Sequence, residues 1–74
     1  MMAIYYTKHA TERMRRRNVT KRQVEEALYN PDWTEKTRDE REISIKRYGK
    51  REIEVIYKKI RNNYIIITVR VWIK

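Results

Sequence analysis

The feature that most limits how this chain can fold is a change of apolar period at Pro31. Before it, apolar residues recur at helical spacing: Ala10 and Met14 at i, i+4, then Val24, Ala27 and Leu28 at i, i+3, i+4. After Trp33 they recur at every second residue, the period of a strand with one buried face. One chain that gives helices first and strands afterwards reads as α+β, with the helices gathered on one side of an antiparallel sheet.

The local signals set the boundaries. Thr7 is placed to cap a helix over 8–17, its hydroxyl accepting a free N–H of the first turn. Asn18 suits a left-handed stop. Thr20–Lys21–Arg22–Gln23 fits a capping box and predicts a second helix over 21–29, which Pro31 ends. Strands are expected over 33–37, 42–48, 51–60 and 64–73, with Gly49–Lys50 and Arg61–Asn62–Asn63 as turns. The expected fold is therefore two N-terminal helices on one face of a 3–4-stranded antiparallel sheet, in a single domain over 1–74. The aliphatic row Ile65, Ile67, Val69, Val71, Ile73 is expected beneath the helices. The uncovered face should then collect Lys46, Tyr48, Glu52, Glu54, Thr68, Arg70 and Trp72, a surface on which rings stack on bases and cations hold phosphates.

Composition narrows the function. The chain has 74 residues, one histidine, one glycine and no cysteine. That leaves no disulfide, no cysteine zinc site, no phosphate-binding glycine loop and no pair of histidines, so no metal or other cofactor is expected. No apolar run reaches the length of a membrane span. The N-terminal MMAIYYTKH lacks the apolar core of a signal peptide, and a cytoplasmic protein is expected. The high content of charged residues, 39%, suggests a thermophilic source.

Charge carries the strongest functional signal. Nineteen Lys and Arg against ten Asp and Glu give +9, as expected of a polyanion binder, because neutralising phosphates releases counterions. The sign alternates along the chain. Residues 1–24 carry Lys8, Arg13, Arg15, Arg16, Arg17, Lys21 and Arg22 against Glu12; residues 25–42 are net acidic; residues 43–74 carry nine cations against Glu52 and Glu54. If the two basic segments meet in the fold, they form one strong patch. A helix-turn-helix reading of the first 30 residues is disfavoured, because Glu25 and Glu26 would face phosphates on the recognition helix.

The segment His9-Ala10-x-x-Arg13-Met14-x-x-Arg17, followed by Val19-Thr20, Val24-x-x-Ala27-Leu28-x-Asn30-Pro31, Ile53-x-Val55-Ile56-Tyr57 and Ile66-Ile67-Thr68-Val69, resembles a widespread family of small proteins known as domain of unknown function 4258. That family looks related to RelE/ParE/BrnT-like toxins. The resemblance implies a RelE-like fold, metal-independent endoribonuclease activity on RNA, and an acidic antitoxin partner.

Metal-free RNA cleavage needs a base for the 2′-OH, a cation for the charged phosphorane and an acid for the leaving oxygen. Histidine's ordinary pKa lies nearest neutrality, which makes His9 a candidate; Arg13 stands one turn later on the same helical face. The expected catalytic set is His9, Arg13, Lys46, Tyr48 and Arg70. The expected nucleic-acid contacts are Arg13, Arg16, Arg17, Lys46, Arg51 and Arg70. Each has a plainer alternative: a cap, a solvated face, or, for Arg70, an ion pair with Glu54 across the sheet. A non-enzymatic nucleic-acid-binding module, or an inactive toxin-like protein bound to an acidic partner, explains the charge equally well. A second copy of the chain is a further candidate partner.

Overall fold

A computed structural model describes residues 3–74. Met1 and Met2, part of the N-terminal segment read for a leader, lie outside the described residues. The elements are β1 (Ile4–Tyr6), α1 (Lys8–Arg17), α2 (Lys21–Tyr29), β2 (Trp33–Lys36), β3 (Glu42–Tyr48), β4 (Arg51–Ile60) and β5 (Asn63–Ile73). The class is α+β. Among the described residues, no helix is long and apolar enough to cross a membrane.

The sheet has five strands in the order β1-β5-β4-β3-β2, and it is mixed rather than purely antiparallel. The additional strand, β1, pairs parallel to β5 through Ile4↔Tyr64, Tyr5↔Ile65 and Tyr6↔Ile66. Three residues are too few to show an alternation, which is why sequence reading passes over them. The other three pairings are antiparallel.

The helix termini follow their chemistry. Thr7 Oγ1 accepts from the Ala10 N–H at 3.0 Å. Thr20 and Gln23 satisfy each other's backbone N–H groups in a reciprocal box, at 3.0 and 3.1 Å. Asn18 turns left-handed, at φ 58°, and its N–H bonds back to Arg15 and Met14 carbonyls. At the β4–β5 turn the left-handed residue is Arg61, at φ 57°, rather than either asparagine.

The core lies between the helices and one face of the sheet. Ala10, Met14, Val19, Val24, Ala27 and Leu28 pack on Ile53, Val55, Tyr57, Tyr64, Ile66 and Val69. The expected row on β5 is only half right. A bulge opposite Ile56 and Tyr57 skips Ile67, so Tyr57 pairs with Ile66 while Ile56 pairs with Thr68. One extra residue reverses the phase of everything before it. Tyr64 and Ile66 therefore join Val69 under the helices, with Val71 packed against them, and Ile65 and Ile67 do not.

The phase of β3 is also opposite to expectation. Lys46 pairs with Ile53 and Ser44 with Val55, so Glu42, Ser44, Lys46 and Tyr48 face the helices. Tyr48 packs against the core. The reason is that α2 ends above β3 and supplies polar backbone there. Ile43 and Ile45 take the other face with Ile56, Glu54, Arg70 and Trp33. Ile45 and Ile56 are 2% and 4% exposed although no helix lies over them; their cover comes from neighbouring strands.

Candidate nucleic-acid interface

Four pieces of chain converge at one end of the sheet: the last turn of α1, the start of α2, the β3–β4 turn and the end of β5. The turn is tight because Gly49 takes φ 63°, a conformation glycine adopts without steric cost. The meander then brings the chain end alongside it, where the Lys74 N–H donates to the Lys50 carbonyl at 2.8 Å. The Arg51 guanidinium donates to the carbonyls of Arg17 and, at 2.8 Å, Asn18. This ties the sheet to the C-terminus of α1.

Cations accumulate at this end. Arg15, Arg16 and Arg17 form the last turn of α1, and all three are exposed. Arg22, on the first turn of α2, lies near Tyr48, where its charge opposes only in part the rise in that tyrosine's pKa. Arg47, Lys50, Arg51 and Lys74 complete the group. The carboxylate in their midst is Glu52, which is 7% exposed. It is held between Lys74 Nζ at 3.2 Å and Arg47 Nε at 3.3 Å. Glu52 thus positions two cations, and even with Asp32, which accepts the Arg47 N–H at 2.7 Å, and Glu26 beside Tyr48, this end keeps a positive surplus. Such a surplus raises the positive potential over this end of the molecule.

The edge of the patch is aromatic. The Arg47 guanidinium lies 5.2 Å from the centre of the Trp33 ring, a cation–π pair. Trp33 and Trp72 are both exposed, and both lie on the sheet face away from the helices. The Tyr48 hydroxyl is buried without a hydrogen-bond partner. Burial first, and then the adjacent Glu26 carboxylate, raise its pKa above the ordinary value.

The structure separates the five residues expected to act together. His9 is exposed on the first turn of α1. Arg13 follows one turn later, with its Nε buried and lacking a hydrogen-bond partner. The Lys46 ammonium donates to the Asn30 carbonyl at 2.9 Å, closing the C-terminus of α2. Tyr48 lies under the helices. Arg70 is on the opposite face of the sheet, paired across strands with Glu54 at 4.0 Å. Of the expected nucleic-acid contacts, Arg16, Arg17 and Arg51 reach the basic end, Arg13 stands one turn before it on α1, and Lys46 and Arg70 lie away from it. Arg22, Arg47, Lys50 and Lys74 stand at this end as well, although the sequence does not single them out. Lys50 and Lys74 were within reach of sequence reasoning: closing a meander at Gly49 necessarily returns the end of the last strand to the first turn.

The chain belongs to the family described as a domain of unknown function (DUF4258), whose model matches residues 6–71. No curated protein and no solved structure matched the chain.

Proposed function

We propose that the protein is a nucleic-acid-binding module that holds the phosphate backbone of RNA against this basic end. The carrying observation is the gathering of eight cations, from Arg15 to Lys74, at one end of the fold, where the buried Glu52 pairs with two of them, Arg47 and Lys74. Phosphates spaced along a strand match such a patch, and binding releases their counterions. Trp33 and Trp72 border it and offer ring faces for unpaired bases.

A second reading, metal-independent cleavage of the RelE-like toxin type, draws on one observation. His9 and Arg13 stand one turn apart on α1, and Arg13 Nε is buried with no partner. In that reading the two groups serve one phosphate, and an acidic antitoxin covers the basic surface. The binding module is preferred because Lys46 and Arg70 point to opposite faces of the sheet and each already has a partner.

The deciding experiment incubates the purified protein with a defined single-stranded RNA and EDTA, then measures binding and maps fragment ends in the same samples. Intact RNA with saturable, salt-sensitive binding is expected. Discrete cuts with 5′-hydroxyl ends, lost in His9→Ala, would replace the module with the nuclease.

A further inference from the structure

At the other end of β3 the molecule carries a second basic feature. A half-open cavity of about 340 Å³ is lined by Lys36, Arg38, Arg41 and Lys59, with Glu40 and Glu42. β3 is seven residues long, which sets this cavity about 20 Å from the Gly49 turn. It is therefore separate from the basic end described above. Lys36, Glu42 and Lys59 lie on the helix side of the sheet, as their pairings with one another and with Tyr64 require.

The cavity has a fixed frame. The Thr37 hydroxyl accepts from the N–H groups of Asp39 and Arg41 and donates to the Arg41 carbonyl. The Thr37 N–H also bonds that carbonyl, at 2.9 Å. Glu40 takes φ 62° to close the loop. These bonds hold Arg38 and Arg41 at the rim on a tight hairpin. Lys59 is steadied from the other side, its ammonium 5.7 Å from the centre of the Tyr64 ring.

The cations are not neutralised. Among the described residues, none of the four takes part in an ion pair. The Lys36–Glu42 register pair does not close into one. Arg41 Nε is buried and has no hydrogen-bond partner. A buried guanidinium donor left unmet costs free energy unless a ligand answers it. Four unpaired cations against two carboxylates select an anion carrying more than one negative charge and several acceptor oxygens. Guanidinium groups match phosphate in shape and hydrogen-bond geometry.

We propose that this cavity binds a phosphate monoester dianion, with Arg41 and Arg38 on its oxygens and Lys36 and Lys59 neutralising its charge. Two sources share this chemistry, a small phosphorylated molecule and the terminal phosphate of an oligonucleotide. The proposal does not need the backbone-binding reading to hold.

The test is a two-dimensional amide NMR titration with inorganic phosphate, in which chloride is exchanged to keep ionic strength constant. Saturable shifts confined to residues 36–42 and around Lys59 are expected, with affinity falling about tenfold in Arg41→Gln and in Arg38→Gln. Lys58→Gln removes one charge on the opposite face and should leave affinity unchanged. The spectra themselves report that each variant remains folded. Non-saturating shifts scattered over the basic surface, or an equal loss in Lys58→Gln, would overturn the site. A second arm compares 5′-phosphorylated with 5′-hydroxyl oligonucleotides. A preference for the phosphorylated end that disappears in Arg41→Gln assigns the oligonucleotide source; saturable phosphate binding without that preference assigns the small molecule.

Discussion

The Thr7 hydroxyl donates to the carbonyl of Ile67 at 3.1 Å, and Ile67 is the residue that the bulge in β5 leaves without a cross-strand partner. The same hydroxyl accepts the Ala10 N–H, while the Thr7 N–H donates to the Ile66 carbonyl. One side chain therefore caps α1, answers the bulge and fixes the angle at which the helix leaves the sheet.

Replacing Thr7 should be costly for a single surface-adjacent residue. Thr7→Ala should lower unfolding free energy by about 1–2 kcal/mol, the upper part of the range for a lost cap, because a partly buried carbonyl also loses its donor. Thr7→Ser should recover most of it. Urea unfolding of the three proteins measures both.

Lys46 and Arg51 stabilise the fold through the carbonyls that end α2 and α1. Lys46→Met keeps the stem and removes the donor; a loss of about 0.5–1 kcal/mol is expected, with RNA affinity nearly unchanged. Arg51→Met should cost more, since two carbonyls lose a partner. A thermal melt paired with a binding titration separates the two effects.

Alkaline pH should weaken the protein. Burial is the first cause that raises the pKa of Tyr6, Tyr48 and Tyr57 above the ordinary 10.0. The folded state holds these protons more tightly than the unfolded chain. The stability this provides is complete below pH 10 and is lost as pH rises through the folded values. Tyr48→Phe removes one such group together with a hydroxyl that has no hydrogen-bond partner. It should be neutral or slightly stabilising at pH 7, and should reduce the loss between pH 10 and 12 in denaturation curves.

The Arg70–Glu54 pair is exposed at its arginine end and separated by 4.0 Å. Arg70→Gln should change stability by less than about 0.5 kcal/mol. It should also leave any cleavage of RNA unaffected, because Arg70 faces away from His9 and Lys46. A loss of cleavage in this variant would return Arg70 to a catalytic site.

Local chemistry made much of the fold readable. Thr7, Asn18, Thr20 and Gln23 act as caps because capping depends on a few adjacent atoms. The change of period at Pro31 marks where helices give way to strands. Strand phase was harder to read. Tyr64 to Val71 offers an apolar side chain at almost every position, so a bulge at Ile67 leaves no trace in the pattern. On β3, Ile43 and Ile45 imitate a core row, yet the helix side is taken by Glu42, Ser44, Lys46 and Tyr48, because Lys46 serves the end of α2. Those two phase errors placed Lys46 beside Arg70. The basic end was partly legible through Arg16, Arg17 and Arg51. Arg22 and Arg47 join it through packing between distant segments, which no local pattern encodes.

The most direct test of the account is the salt dependence of RNA binding in two charge-matched double variants. Arg16→Gln with Arg22→Gln strips the basic end; Lys58→Gln with Arg70→Gln removes two cations that lie outside it. For single-stranded RNA each lost phosphate contact should reduce the slope of log K against log salt by about 0.7. The first variant should therefore lose about 1.4 of slope and the second almost none. Equal slopes in the two variants, or a larger loss in the second, would contradict the placement of RNA at the meeting of α1, α2 and the Gly49 turn.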